Sequence, residues 1–147
     1  MTIKERLQSE LKTAMKEHDA VLKNVVTLVR AAILQYEKDN LKECDEEHII
    51  ELISKQVKQR KDALADFEKA GRDDLIAQTN RELEILLSYL PRQLSPEELE
   101  EIVKEAIDRL GIDSKKGMGA LMKDVMPRVK GMSDGKAINA AAAKFLN

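Results

Sequence analysis

The stretch Tyr89-Leu90-Pro91-Arg92-Gln93-Leu94-Ser95-Pro96-Glu97-Glu98 divides the chain in two. Pro91 lacks the N–H that would continue a helix and stops the one before it. Four residues on, Ser95 stands at a cap position, Pro96 at the first helical position and Glu98 at the third, which starts a new helix. A hinge is therefore expected over Tyr89–Ser95, with about four helices before it and three after.

Working back from the hinge, apolar residues recur at helical spacing with no strand-like alternation. Thr2 and Glu5 form a capping-box start, and Ile3, Leu7, Leu11, Ala14 and Met15 make the first stripe. Asp19 caps a second helix carrying Leu22, Val25, Val26, Val29, Ile33 and Tyr36. Val21 and Leu28 widen that stripe, predicting the most enclosed helix of its group. Asp45 caps a third with the seam Ile49, Ile53, Val57, Leu64 and Phe67, stopped by Gly71. Asp73 and Asp74 open a fourth, whose apolar residues run from Leu75 to Leu90. Beyond the hinge, Leu99 to Leu110 form one helix that stops at Gly111, and Met118 to Val129 a second, which Pro127 is expected to kink or end. Asp134 caps a short Ala-rich helix predicted to finish near Leu146. The expected class is all-α: a helical bundle over residues 1–90 and a three-helix tail domain over 91–147.

Composition agrees. Apolar residues make up 43% of the 147, enough for a core, and the four aromatics are too few for a β-sandwich. One cysteine excludes a disulfide framework. The charged start, with no apolar h-region, and the lack of a spanning stretch lead to the expectation of a soluble, cytoplasmic protein with no membrane contact. The net charge of −2 excludes a globally basic nucleic-acid binder but conceals an asymmetry. Residues 1–90 hold 15 basic and 18 acidic groups, residues 91–110 hold 3 and 6, and residues 111–147 hold 7 and 3. The last segment is a basic module on an acidic protein.

No catalytic constellation is visible. Cys44 and His48 share a helical turn, but two ligands do not make a metal site, and neither a metal nor a cofactor is expected. Met118, Met122 and Met126 fall on the apolar stripe of their own helix and read as core. Lys55, Lys58 and Lys61 read as a solvated face. Arg60, at the seam's edge, is expected to pair with Glu82 or Glu84. Gly117-Met118-Gly119 after Lys115-Lys116 has no Walker spacing; it is a helix start with two cations, where glycine also allows close packing. The most informative stretch is Lys130-Gly131-Met132-Ser133-Asp134-Gly135-Lys136-Ala137-Ile138-Asn139. A stop, a turn and a cap explain Gly131, Ser133 and Asp134. They leave unexplained the cations around it, Lys123, Arg128, Lys130 and Lys136, which suit a phosphate backbone. With Lys115, Lys116 and Asn139 these are the RNA-contact candidates.

On five segments the chain resembles the YqeY family, which is similar to the C-terminal helical and tail region of the GatB subunit of the tRNA-dependent amidotransferase. The segments are Lys58–Lys61, Phe67–Arg72, Tyr89–Ser95, Gly117–Met126 and Lys130–Asn139. The resemblance implies a bundle followed by a tail that contacts tRNA, in a bacterial protein. It also carries the label of a carbon–nitrogen ligase with glutamine as amido-nitrogen donor, yet the domains that perform that chemistry have no counterpart here. Met132 and Ser133 stand where the family commonly has Arg and Ala, and Gln78-Thr79-Asn80 replaces a usually acidic stretch. The expectation is a stand-alone module binding tRNA or structured RNA, with no chemistry of its own. The alternative is a protein-interaction adaptor for an amidotransferase or aminoacyl-tRNA synthetase. The oligomeric state is open.

Overall fold

The computed structural model describes residues 1–146, which form seven α-helices and one 3-10 turn and contain no strand. This is the all-α class that the apolar spacing predicts. The chain divides into two compact units, Met1–Leu90 and Pro91–Asn147, each with its own core.

The first unit holds α1 (Ile3–Glu17), α2 (Ala20–Asn40), α3 (Glu46–Ala70) and α4 (Asp73–Leu87). Local chemistry sets most of their ends. Thr2 and Glu5 close the reciprocal capping box of α1, Asp19 accepts from the Leu22 N–H, and Asp45 accepts from the His48 N–H. Gly71, at φ +66°, ends α3 in the left-handed region that a side chain disfavours. Leu7, Val25, Val26, Val29, Ile49, Ile53 and Leu86 are sealed in the core, each contributing about 1.5–3 kcal/mol by leaving water.

Two details differ from the sequence reading. Helix α4 stops at Leu87 and continues as a tight turn, in which Tyr89 and Leu90 donate to the carbonyls of Leu86 and Leu87. Pro91 is the physical reason: the residue before proline is pushed out of the helical region, so the helix ends early. Helix α2 is not the most enclosed of its group: four of its 21 residues are buried against four of 15 in α4, and Leu28 is 51% and Leu34 65% exposed.

Arg60 pairs with Glu82 of α4, Nε to Oε1 at 3.3 Å, with both side chains mostly covered (14% and 19% exposed). Arg60→Ala is expected to lower stability by about 1–2 kcal/mol, between the values typical of surface and buried pairs. Exposed Lys55→Ala on the same helix should change almost nothing. Thermal midpoints check this, and equal midpoints for the two variants would mean that the pair contributes nothing.

Tyr89 ties the end of α4 to α1. Its buried hydroxyl donates to Glu10, and the Arg6 guanidinium lies 4.6 Å from its ring centre while donating to the Ser88 carbonyl at 3.1 Å. Burial, and then the Glu10 carboxylate, pushes the phenol well above its ordinary range.

The second unit holds α5 (Pro96–Leu110), the 3-10 turn Lys115–Gly117, α6 (Met118–Arg128) and α7 (Gly135–Ala142). Leu99, Val103, Leu121, Val125, Val129 and Ile138 form its core. Helix α6 ends one residue past Pro127, which has no N–H to give Lys123. Helix α7 stops at Ala142 and not near Leu146. The chain closes in tight turns, with Phe145 donating to the Ala142 carbonyl and Leu146 buried.

Candidate nucleic-acid interface

The turn between α6 and α7 is built from its own backbone. The Val129 carbonyl accepts from the N–H groups of Met132 and Ser133, Gly131 takes φ +77°, and Asp134 caps α7 by accepting from Ala137. The first residues of the second unit hold this turn from outside. The Gln93 side-chain amide donates to the Gly131 carbonyl at 2.6 Å, and the Leu94 N–H donates to the Met132 carbonyl at 3.0 Å. Residues that the sequence presents far apart, Gln93 and Leu94 on one side and Gly131 and Met132 on the other, thus meet within the second unit. Nothing local in either announces the meeting.

Arg92 and Glu98 brace the same segment through paired bonds of 2.9 and 2.6 Å. The Arg92 guanidinium, followed by the Ser95 N–H, holds the Glu98 carboxyl at about 2, below the usual carboxylate range. The folded value lies below the unfolded one, so its stabilisation is complete above about pH 4.5 and disappears as pH falls through about 2. Glu98→Gln should therefore trail the wild type most at pH 6, and the gap should close on approach to pH 2. Unfolding midpoints across that range provide the check; a gap constant with pH would contradict the ion pair.

The candidate cations fall into two groups. Lys115, Lys116, Lys123 and Lys136 are exposed, and none is in an ion pair or side-chain hydrogen bond among the described residues. Arg128 is exposed but committed: with Arg109 it forms a four-membered cluster with Glu105 and Asp124. Arg128 lies 3.0 Å from Glu105 and 3.1 Å from Asp124. The two guanidiniums, Arg109 first, hold both carboxyls below their ordinary range. Lys130 is part-buried and already engaged. Asn139 is exposed on α7, and its carbonyl accepts from Ala143.

Gly135, the first residue of α7, packs against α6: a Cβ there would stand 3.2 Å from the Met122 methyl and 3.9 Å from the Met126 sulfur. Lys136 and Lys123 are each the next residue along from that contact. Met118 and Met122 are partly buried as core, whereas Met126 is 41% exposed. The two neighbouring glycines differ. At Gly117 a Cβ would meet Ile112 at 2.6 Å, so close packing accounts for it. At Gly119 it would meet nothing within 4 Å, and packing does not call for a glycine there. A glycine inside a helix costs about 1 kcal/mol relative to alanine. Gly119 lies one turn before Lys123 on the same face of α6.

The remaining candidates have structural surroundings. Cys44 is buried, with its N–H donating to Glu37 at 2.9 Å. The His48 ring lies 4.9 Å from that of Tyr36, and its Nδ1 is 2.8 Å from Asp45. No cluster of three or more metal-ligating side chains occurs among the described residues. Lys55, Lys58 and Lys61 are exposed on α3. No helix among the described residues is long and apolar enough to cross a membrane.

The profile of the family described as Yqey-like protein matches residues 4–146. Among curated proteins, the chain is 30% identical over 129 residues to "Altered inheritance of mitochondria protein 41, mitochondrial" of Pyrenophora tritici-repentis, covering 86% of this chain and 70% of that one. It is 31% identical to the protein of the same name from Vanderwaltozyma polyspora, over 84% and 66%. The Saccharomyces cerevisiae protein of that name is 32% identical, over 71% and 58%. The chain thus spans about two thirds of the length of these relatives. Their names overturn the expectation of a cytoplasmic protein, since all three are described as mitochondrial. An absent apolar h-region does not bear on organellar targeting, because organellar transit peptides are amphipathic and Arg-rich. All three are fungal, and none supports the expectation of a bacterial source.

Proposed function

The chain belongs to the Yqey-like protein family, and from that premise we propose that it is a stand-alone module for tRNA or structured RNA, related to tRNA-dependent amidotransferase systems. The observation that carries this reading is charge left over after pairing. Of the three acidic residues in 111–147, Asp124 is occupied by two arginines and Asp134 by the α7 cap, which leaves Asp113 against Lys115, Lys116, Lys123 and Lys136, all exposed and unpaired among the described residues. Lysines of this kind bind phosphates as point charges and read no sequence. Gly119 supports the reading, since a helix surface bare of side chain lets a backbone come close. There is no Trp, both Tyr lie in residues 1–90, and a single half-exposed Phe145 is the aromatic of residues 91–146, which leaves little for base stacking. Recognition therefore works through shape and charge, with no group transfer by this chain.

Gel shifts with bulk and mitochondrial tRNA test the reading. Wild type is expected to shift tRNA at low salt, and K115E/K116E/K123E/K136E to bind at least tenfold more weakly. Arg128→Ala, already neutralised by carboxylates, should bind within about twofold of wild type. Equal binding by the quadruple variant would contradict the proposal.

The second reading, an adaptor for an amidotransferase or synthetase, is favoured by exposed apolar side chains on the first unit, Met15, Leu28 and Leu34.

A further inference from the structure

Helices α1 and α2 lie side by side over an open cleft of about 240 Å³. Its floor is apolar, made by Leu7 and Ile33, and Leu34 stands at its edge with 65% of its surface in solvent. Met15, two turns beyond Gln8 on the same face of α1, is 58% exposed. Four unpaired cations flank it. Lys12 follows cleft-lining Gln8 by one turn of α1. On α2, Lys23 lies two turns before Arg30, and Lys38 one turn after Leu34. All four cations are exposed, and among the described residues none has an ion-pair or hydrogen-bond partner for its side chain. The only carboxylate lining the cleft, Glu37, is engaged at 2.8 Å by Lys4 and at 2.9 Å by the Cys44 N–H. Pairing with Lys4 holds Glu37 ionised, so it stays an acceptor.

We propose that this face docks an amphipathic helix of another protein, one with apolar residues on one stripe and Asp or Glu beside it. The apolar anchors would cover Leu34 and Met15, and the carboxylates would meet Lys12, Lys23, Arg30 and Lys38, as in helix-in-groove recognition. The seam from Lys23 to Lys38 measures roughly 22 Å at 1.5 Å per residue, the length of about four helical turns. Two exposed apolar side chains among these cations, Leu34 and Met15, favour a protein over a nucleic acid, whose phosphates would leave them wet. Helix α5 does not supply the occupant. It carries Glu97, Glu101 and Asp108 outward, but its apolar stripe is buried in its own core. This inference names the partner class for the adaptor reading and uses residues 1–90 alone, so it stands or falls separately from the RNA proposal.

The probe is a fluorescein-labelled 18-residue helical peptide with leucine at i, i+3, i+4 and i+7 spacing and glutamate on both flanks. A partner peptide carries lysine in place of every glutamate. Both are titrated with the full chain and followed by anisotropy at two salt concentrations. The glutamate peptide should bind at least tenfold more tightly than the lysine peptide and weaken with salt. Leu34→Glu and R30E/K38E should each reduce its binding at least fivefold, with unchanged thermal midpoints because all three positions are exposed. Equal affinity for the two peptides, or binding indifferent to both variants, would overturn the proposal. So would concentration-dependent dimerisation abolished by Leu34→Glu, which assigns the face to a second copy. Loss of tRNA binding in R30E/K38E would overturn it too, by assigning the face to RNA.

Discussion

Leu121→Ala is expected to unfold α5, α6 and α7 at temperatures where α1–α4 remain intact. Leu121 is fully buried at the centre of the second core, among Leu99, Val103, Val125, Val129 and Ile138. Cutting a buried leucine to alanine costs about 2–5 kcal/mol, from lost transfer and from the cavity left behind. At about 0.05–0.15 kcal/mol per residue, a unit spanning residues 91–147 has roughly 3–8 kcal/mol in total, so one truncation removes a large share of it. The readout is built into the sequence, because both tyrosines, Tyr36 and Tyr89, lie in the first unit. Circular dichroism should show an early loss of helix with no change in tyrosine fluorescence. A single transition seen equally by both signals would contradict the separation of the two cores.

Gly131→Val should have the next largest effect. Gly131 is buried at φ +77°, where a β-branched residue is strained by about 1–3 kcal/mol. Its carbonyl and that of Met132 receive the Gln93 amide and the Leu94 N–H, so distortion of the turn also releases that segment. The total loss should be about 2–4 kcal/mol, with the Leu94 amide losing its protection from hydrogen exchange. Gly119→Ala is the contrasting control, neutral or stabilising by up to about 1 kcal/mol, since nothing lies within 4 Å of the new methyl. Unchanged protection of Leu94 in the valine variant would show that Gly131 does not hold that segment.

These two residues mark the limits of what can be read from sequence. Gly131 is legible as a turn glycine, and Thr2, Asp19, Asp45, Ser95 and Asp134 as caps, because each is satisfied within three residues of itself. Arg60–Glu82 is legible because the two stripes that place them are. The bonds from Gln93 and Leu94 to the turn span nearly forty residues, and no spacing rule predicts them. Arg128 shows the same limit in the candidate site: counting charges finds seven cations in residues 111–147 but cannot tell which are already paired. Arg109 meets Asp124 only after α5 and α6 have packed. The exposed Leu34 on the α1–α2 face is not legible in the sequence, because it falls within a broad apolar run and breadth of that kind looks like burial.

The most direct test of the RNA reading is tRNA affinity measured from 50 to 300 mM monovalent salt. With four lysines each neutralising one phosphate, log K should fall against log salt with a slope of about −3. K123E and K136E should each flatten that slope by about one. A slope near zero, or an unchanged slope in both variants, would contradict a phosphate-binding surface on α6 and α7.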